Sequence, residues 1–164
     1  MKRVVIVRHG KAVPYGYDDD FNRDLRPRGK SDAALVSDEL MRRKIVPDIM
    51  ISSPAKRAIK TARIFADHLE FDRANIREVE DIYDGLTTRE FVEMIHELPA
   101  DAKTVFFFGH NPGFYYFVSN LLKEFRSDMP TTSTVGIDFD VDNWNNVEAR
   151  TGKLAFHLVP RMFK

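Results

Sequence analysis

The chain has no cysteine. Disulfides, thiolate metal ligands and a cysteine nucleophile are therefore excluded, and the composition fits a reducing compartment. It has no surplus of either charge, with Lys plus Arg at 25 and Asp plus Glu at 25 for a formal net charge of +0 at pH 7. No global field then draws it toward nucleic acid or an anionic membrane, and any anion binding must come from local charge. No apolar run approaches the roughly 20 residues that a membrane span needs. Only Lys2 and Arg3 precede the short apolar run Val4 to Val7, a start too quickly polar for a signal peptide. Repeats, low-complexity tracts and linkers are missing too. At 164 residues the expectation is a single domain over 1–164, cytoplasmic and large enough to bury a core without staples.

What is present is most informative at Val4-Val5-Ile6-Val7-Arg8-His9-Gly10, where an apolar run ends on a cation, an imidazole and a turn-forming glycine. Val105-Phe106-Phe107-Phe108-Gly109-His110-Asn111-Pro112-Gly113 repeats the pattern. Both runs read as buried strands of a mostly parallel sheet, which deliver the residues that follow them to one sheet edge, where α/β folds place ligands.

Between them, residues 11–28 form a polar loop, long enough to suggest a function. Helical spacing predicts an amphipathic helix over Ser31 to Arg43, stopped before Pro47. Asp48 to Ser52 reads as a second strand, and Ser53-Pro54 as an N-cap followed by proline in the first position of a helix reaching His68. A short strand is expected near Ile76 to Val79, then a loop at Tyr83-Asp84-Gly85. Thr87 and Thr88 can cap a helix that Pro99 stops, and Pro112 and Gly113 open the next. Alternation at Val135, Ile137, Phe139 and Val141, and again at Leu154, Phe156 and Leu158, predicts a closing hairpin. Asp138, Asp140 and Asp142 then fall on the polar face of an exposed strand.

Four polar residues can converge at the strand ends and helix starts: Arg8, His9, Arg57 in Ser52-Ser53-Pro54-Ala55-Lys56-Arg57, and His110. Two arginines and two histidines beside helix N-termini make an anion pocket, because guanidinium presents paired planar donors and a helix start adds partial positive charge. Phosphate is the natural guest. Arg57 also sits on a first helical turn, where its charge opposes the helix dipole, a sign of an anion nearby. His68, His96 and His157 show no partner spacing and read as surface or core histidines. Tyr115, Tyr116 and Phe117 read as core or pocket wall, and Asp18-Asp19-Asp20 as a solvated loop in preference to a metal site.

These motifs carry a family resemblance. Arg8-His9-Gly10 resembles the signature of the histidine phosphatase superfamily, Ser52-Ser53-Pro54 through Arg57, Thr61 and Ala62 resembles its second block, and Gly109-His110-Asn111-Pro112 its late histidine block. Length and spacing are similar to the short SixA-type phosphohistidine phosphatase branch, including Arg23-x-Leu25-x-x-x-Gly29 and Tyr83. The resemblance implies a phosphoglycerate mutase-like three-layer α/β/α sandwich with a mixed, mostly parallel sheet, acting without metal or cofactor. It implies that His9 attacks phosphorus and becomes a phosphohistidine, with Arg8, Arg23, Arg57 and His110 holding the phosphoryl oxygens. The nitrogen of His9 that does not attack should donate to a carbonyl, that of Gly10 or a neighbour.

Larger members of the family are similar to one another in using a carboxylate after the central strand as general acid. The candidates here are Glu80, Asp81 and Asp84, with Asp18 to Asp20 as further ones, and no motif selects among them. An acid matters most for an alkoxide leaving group, whereas phosphohistidine releases an imidazole whose conjugate acid has a pKa of about 6.5. Residues 69–104 also leave little room for a lid over a small substrate. The expected substrate is therefore phosphohistidine on a partner protein, with inorganic phosphate as product. The alternatives are a small-molecule phosphomonoesterase, a mutase, and a module that binds a phosphorylated partner without turnover.

Overall fold

The structure, a computed structural model, describes residues 1–14, 16 and 19–164. Its strands are β1 (Lys2–Arg8), β2 (Ile49–Ser52), β3 (Arg77–Glu78), β4 (Thr104–Gly109), β5 (Thr134–Phe139) and β6 (Lys153–Leu158). Its helices are α1 (Pro27–Arg42), α2 (Lys56–His68), α3 (Glu80–Asp84), α4 (Thr88–His96) and α5 (Gly113–Leu121). The strands form one mixed sheet in the order β3-β2-β4-β1-β5-β6. β1, β4, β2 and β3 run parallel, while β5 is antiparallel to β1 and β6 to β5.

The apolar runs are continuous because both sheet faces are covered. Val4, Ile6, Val105 and Phe107 face a layer built from α4 and α5, where Phe91, Phe114, Phe117 and Leu121 are buried. Val5, Val7, Phe106 and Phe108 face the opposite layer, packing on Val36 and Leu40 of α1 and Phe65 and Ala66 of α2. The result is an α/β/α sandwich. With β4 between β1 and β2, and Arg8 in register with Gly109, the residues after three parallel strands emerge side by side.

Three local expectations are corrected. α1 begins at Pro27, ahead of Ser31, because the fixed φ of proline suits a first helical position. Residues Tyr83 and Asp84 close the one-turn helix α3, too short to show a period, and Gly85 follows at φ 120, a conformation that favours glycine. Asp138 lies on β5, an inner strand, and not on an exposed edge. Its carboxylate accepts from Arg3 Nε at 2.6 Å and Nη2 at 2.9 Å.

The turn after His9 is pressed against the start of α1. A Cβ on Gly29 would lie 2.3 Å from the Lys11 carbonyl oxygen, and one on Gly10 would lie 2.8 Å from that of Gly29. Two backbones meet where no side chain fits.

Candidate active site

The backbone of the His9 segment is held from three sides. His9 N–H donates to Gly109 O of β4 at 3.0 Å, Gly10 N–H to Thr61 Oγ of α2 at 3.0 Å, and Thr132 N–H to the carbonyls of Arg8 and His9 at 3.1 and 3.0 Å. Thr132 takes φ 65 to do so, a left-handed conformation that is uncommon for a β-branched residue and clusters at functional sites. Thr61 also donates to Arg57 O at 2.7 Å, tying the turn to the first turn of α2.

His9 is 8% exposed. Its Nδ1 lies 2.8 Å from Gly10 O, and a carbonyl only accepts, so Nδ1 carries the proton and Nε2 keeps its lone pair. Burial, joined by the charges of His110, Arg57 and Arg8, pushes its pKa down to about 3, so the ring is neutral at physiological pH. The His110 ring stands 5.3 Å away, centroid to centroid. His110 Nε2 is 2.7 Å from Ser53 Oγ, and its Nδ1 is buried without a hydrogen-bond partner among the described residues. Burial and then the Arg57 charge lower His110 to about 4, against an opposing pull from Asp20.

Arg8 and Arg57 complete the cluster. Arg8 Nη1 donates to Met129 O at 2.9 Å, and burial lowers the pKa of this guanidinium from its ordinary value, although arginine stays charged. Arg57 is almost covered, with 7% of its side chain exposed, and donates from Nη1 to Asp20 O at 2.7 Å and from Nη2 to Asp20 Oδ2 at 3.1 Å. The Nε atoms of both arginines are buried without hydrogen-bond partners among the described residues.

The other expected residues divide. Arg23 reaches the cluster through Asp20, its Nη1 lying 2.9 Å from Asp20 Oδ1. Asp84 lines a cavity of about 340 Å³ together with Tyr83, Leu86, His110 and Tyr116. Glu80 and Asp81 are exposed at the start of α3, outside the lining of that cavity. Asp18, one of the further acid candidates, lies outside the described residues, and Asp19 is spent capping the 3-10 turn Asp20–Asn22.

Two residues were misread from sequence. Asp20 is not a solvated loop charge: it accepts from Arg57, Arg23 and the Tyr83 hydroxyl, the last at 2.8 Å. Its partial burial works to raise its pKa, but Arg23, Tyr83 and Arg57 outweigh that and hold it down to about 2. The i,i+3 spacing of Asp20 and Arg23 was the available signal. Ser53 is not the cap of α2. The cap position is Ala55, and the Ser53 hydroxyl instead accepts from Ala55 N–H at 3.2 Å and meets His110. Nothing local in the sequence announces that contact.

The two depressed histidines set an acid limit on stability. Each resists protonation in the folded chain, so its contribution is complete above the unfolded pKa of about 6.5 and is lost as pH falls toward 4 and then 3. At roughly 1.4 kcal/mol per pH unit once the unfolded ring is charged, His9 alone removes about 2 kcal/mol between pH 6.5 and 4.5. Asp20 acts in a lower window, its contribution fading only as pH falls from about 4 toward 2. We expect urea unfolding free energies to drop from pH 7.5 to 4.5, and to drop less in His9→Ala. A flat profile, or one that rises on acidification, contradicts the burial argument.

A protonated Nδ1, a free Nε2 and a ring of guanidinium groups suit phosphoryl chemistry, and comparison with known proteins agrees. The family model for the histidine phosphatase superfamily (branch 1) matches residues 4–113. The mitochondrial serine/threonine-protein phosphatase Pgam5 of Drosophila grimshawi is 29% identical over 84 residues, covering 51% of this chain and only 29% of that protein. Among solved structures, one assigned as the phosphohistidine phosphatase SixA of Agrobacterium tumefaciens superposes with a TM-score of 0.80 at 23% identity, covering 97% of this chain and 98% of that one. The protein histidine phosphatase SixA complexed with tungstate superposes at 0.76 and 20% identity, covering 99% of each chain. These superpositions establish a shared fold. The chain belongs to the histidine phosphatase superfamily, and the match takes in Arg8, His9, Arg57 and His110.

Proposed function

We propose that the chain is a phosphatase that passes a phosphoryl group from phosphohistidine on a partner protein to His9 and then to water. The observation that carries this reading is the state of His9, a buried neutral imidazole whose Nδ1 is committed to Gly10 O while Arg8, Arg57 and His110 surround it.

In the first step the Nε2 lone pair forms a bond to phosphorus. The P–N bond to the substrate imidazole breaks, and its electron pair goes to that ring, which leaves neutral when its other nitrogen already holds a proton. Arg8, Arg23 and Arg57 offset the charge on the phosphoryl oxygens, the main demand of phosphoryl transfer. His110 joins them best as a cation, and an arriving dianion raises its pKa toward that state. In the second step water attacks phosphorus, Nε2 leaves with its electron pair, and the protons of the water depart on inorganic phosphate.

Phosphohistidine is favoured over an ester because, among the described residues, the carboxylate fixed in the cluster is Asp20, which Arg23, Tyr83 and Arg57 hold ionised and so unsuited to act as general acid. Residues between α2 and β4 build a 3-10 turn (Arg73–Asn75), a two-residue strand and two short helices, which suits a side chain presented by a protein. One observation favours an ester instead: Asp84 lines the cavity that His110 opens onto. Rates on a phosphohistidine carrier protein and on a panel of phosphate esters separate the two. We expect the carrier to be the faster substrate and Asp84→Asn to slow it by less than about tenfold, against the 10²–10⁴ that a general acid contributes. Faster ester hydrolysis, with Asp84→Asn losing that larger factor, establishes the phosphomonoesterase reading.

A further inference from the structure

We infer that Asp20 is a built-in counter-anion of the phosphate clamp, competing with the phosphoryl group for Arg57 and Arg23 and so setting how readily inorganic phosphate leaves. The inference rests on the reading of this pocket as a phosphoryl site.

An arginine in the first turn of a helix needs a nearby anion, because the helix dipole there is positive. In the structure Asp20 is that anion. Its carboxylate collects donors from Arg57 Nη2 at 3.1 Å, Arg23 Nη1 at 2.9 Å and the Tyr83 hydroxyl at 2.8 Å, and its backbone carbonyl takes Arg57 Nη1 at 2.7 Å. Donors from α2, from α3 and from the loop itself thus converge on one carboxylate beside His110.

The pair is asymmetric. The Arg57 side chain is 7% exposed and fixed on a helix, whereas that of Asp20 is 35% exposed and rides on a short 3-10 turn. The loop is anchored at its base, through the Ala12 to Leu25 bridge and the bonds Val13 N to Asp24 O and Arg26 N to Lys11 O. Toward its tip, Asp20 and Phe21 meet the body of the protein at Arg57 and Tyr83. Asp20 is therefore the exchangeable partner. It pairs with the guanidinium groups, and it repels a phosphate dianion that arrives among the same donors. Like charges within about 6 Å shift proton affinities by one to three powers of ten, and a bound dianion feels the same field.

The test is calorimetric titration of inorganic phosphate into wild type, Asp20→Asn and Asp20→Ala. We expect both variants to bind phosphate about tenfold more tightly or better, with the gain shrinking as salt rises. Asparagine preserves size, and alanine removes any amide N–H that would face the guanidinium groups, so a folding defect in one leaves the other decisive; thermal melts identify it. Phosphate bound by wild type and bound equally or more weakly by the folded variants overturns the inference and makes Asp20 a positioning residue. If no form binds phosphate, the phosphoryl reading of the pocket fails along with it.

Discussion

His9→Ala is expected to lower phosphoryl turnover by on the order of 10⁴-fold or more, the range seen when a covalent nucleophile is deleted. The reason is geometric. Nε2 of His9 is a lone pair freed by a committed partner nitrogen, since Nδ1 donates to Gly10 O. In the neighbouring imidazole, His110, Nε2 lies against Ser53 and Nδ1 is buried. The sharper readout is covalent. Incubation with a radiolabelled phosphoryl donor followed by an acid quench should destroy the label on wild type, because phosphohistidine is acid-labile, while an alkaline quench preserves it. His9→Ala should show no label under either quench. Label of undiminished intensity on His9→Ala, or acid-stable label on wild type, sinks the proposed mechanism.

Arg57→Lys should cost about 10²–10³ in turnover, as removal of a preorganised donor pair at a site of developing charge does elsewhere. The substitution keeps the positive charge and loses the planar fork, so it separates geometry from electrostatics. Arg57 spans two jobs, holding Asp20 from both Nη atoms and setting its charge near His9 and His110 from the first turn of α2. An ammonium is a single point with three donors and cannot serve both directions in one plane. We expect Arg57→Lys to lose turnover while phosphate binding weakens less, and Arg57→Ala to lose both. Near-normal rates in Arg57→Lys show that charge alone suffices and that the fork is incidental.

The sheet and the principal site residues were readable from sequence for a physical reason. A central parallel strand buried on both faces must be an unbroken apolar run, and Val4 to Val7 and Val105 to Phe108 are such runs, each 0% exposed in the structure. Whatever follows them emerges at the same edge, so Arg8, His9 and His110 could be placed together without coordinates. Asp20 could not, because its role depends on Arg57, 37 positions away, and on how the 11–26 loop folds back at its base. A triple aspartate looks the same whether it faces water or a guanidinium. Ser53 was misplaced because a serine before proline resembles a cap, while its contact with His110 depends on β2 and β4 being neighbours. Asp138 was misplaced because alternation reveals the two faces of a strand and says nothing about whether another strand lies beside it.

The bracing of His9 has a consequence for how the protein matures. The bonds that pin its backbone come from Thr61, Gly109 and Thr132, so the segment is anchored by partners up to about 120 positions downstream. Helices can form early from local contacts, but none of them by itself orients this imidazole. Until the stretch before β5 has docked, His9 is an ordinary solvated base with a pKa near 6.5 and no ring of arginines about it. Reactivity therefore requires these long-range closures of the chain, and recovered activity reports them where recovered helicity does not.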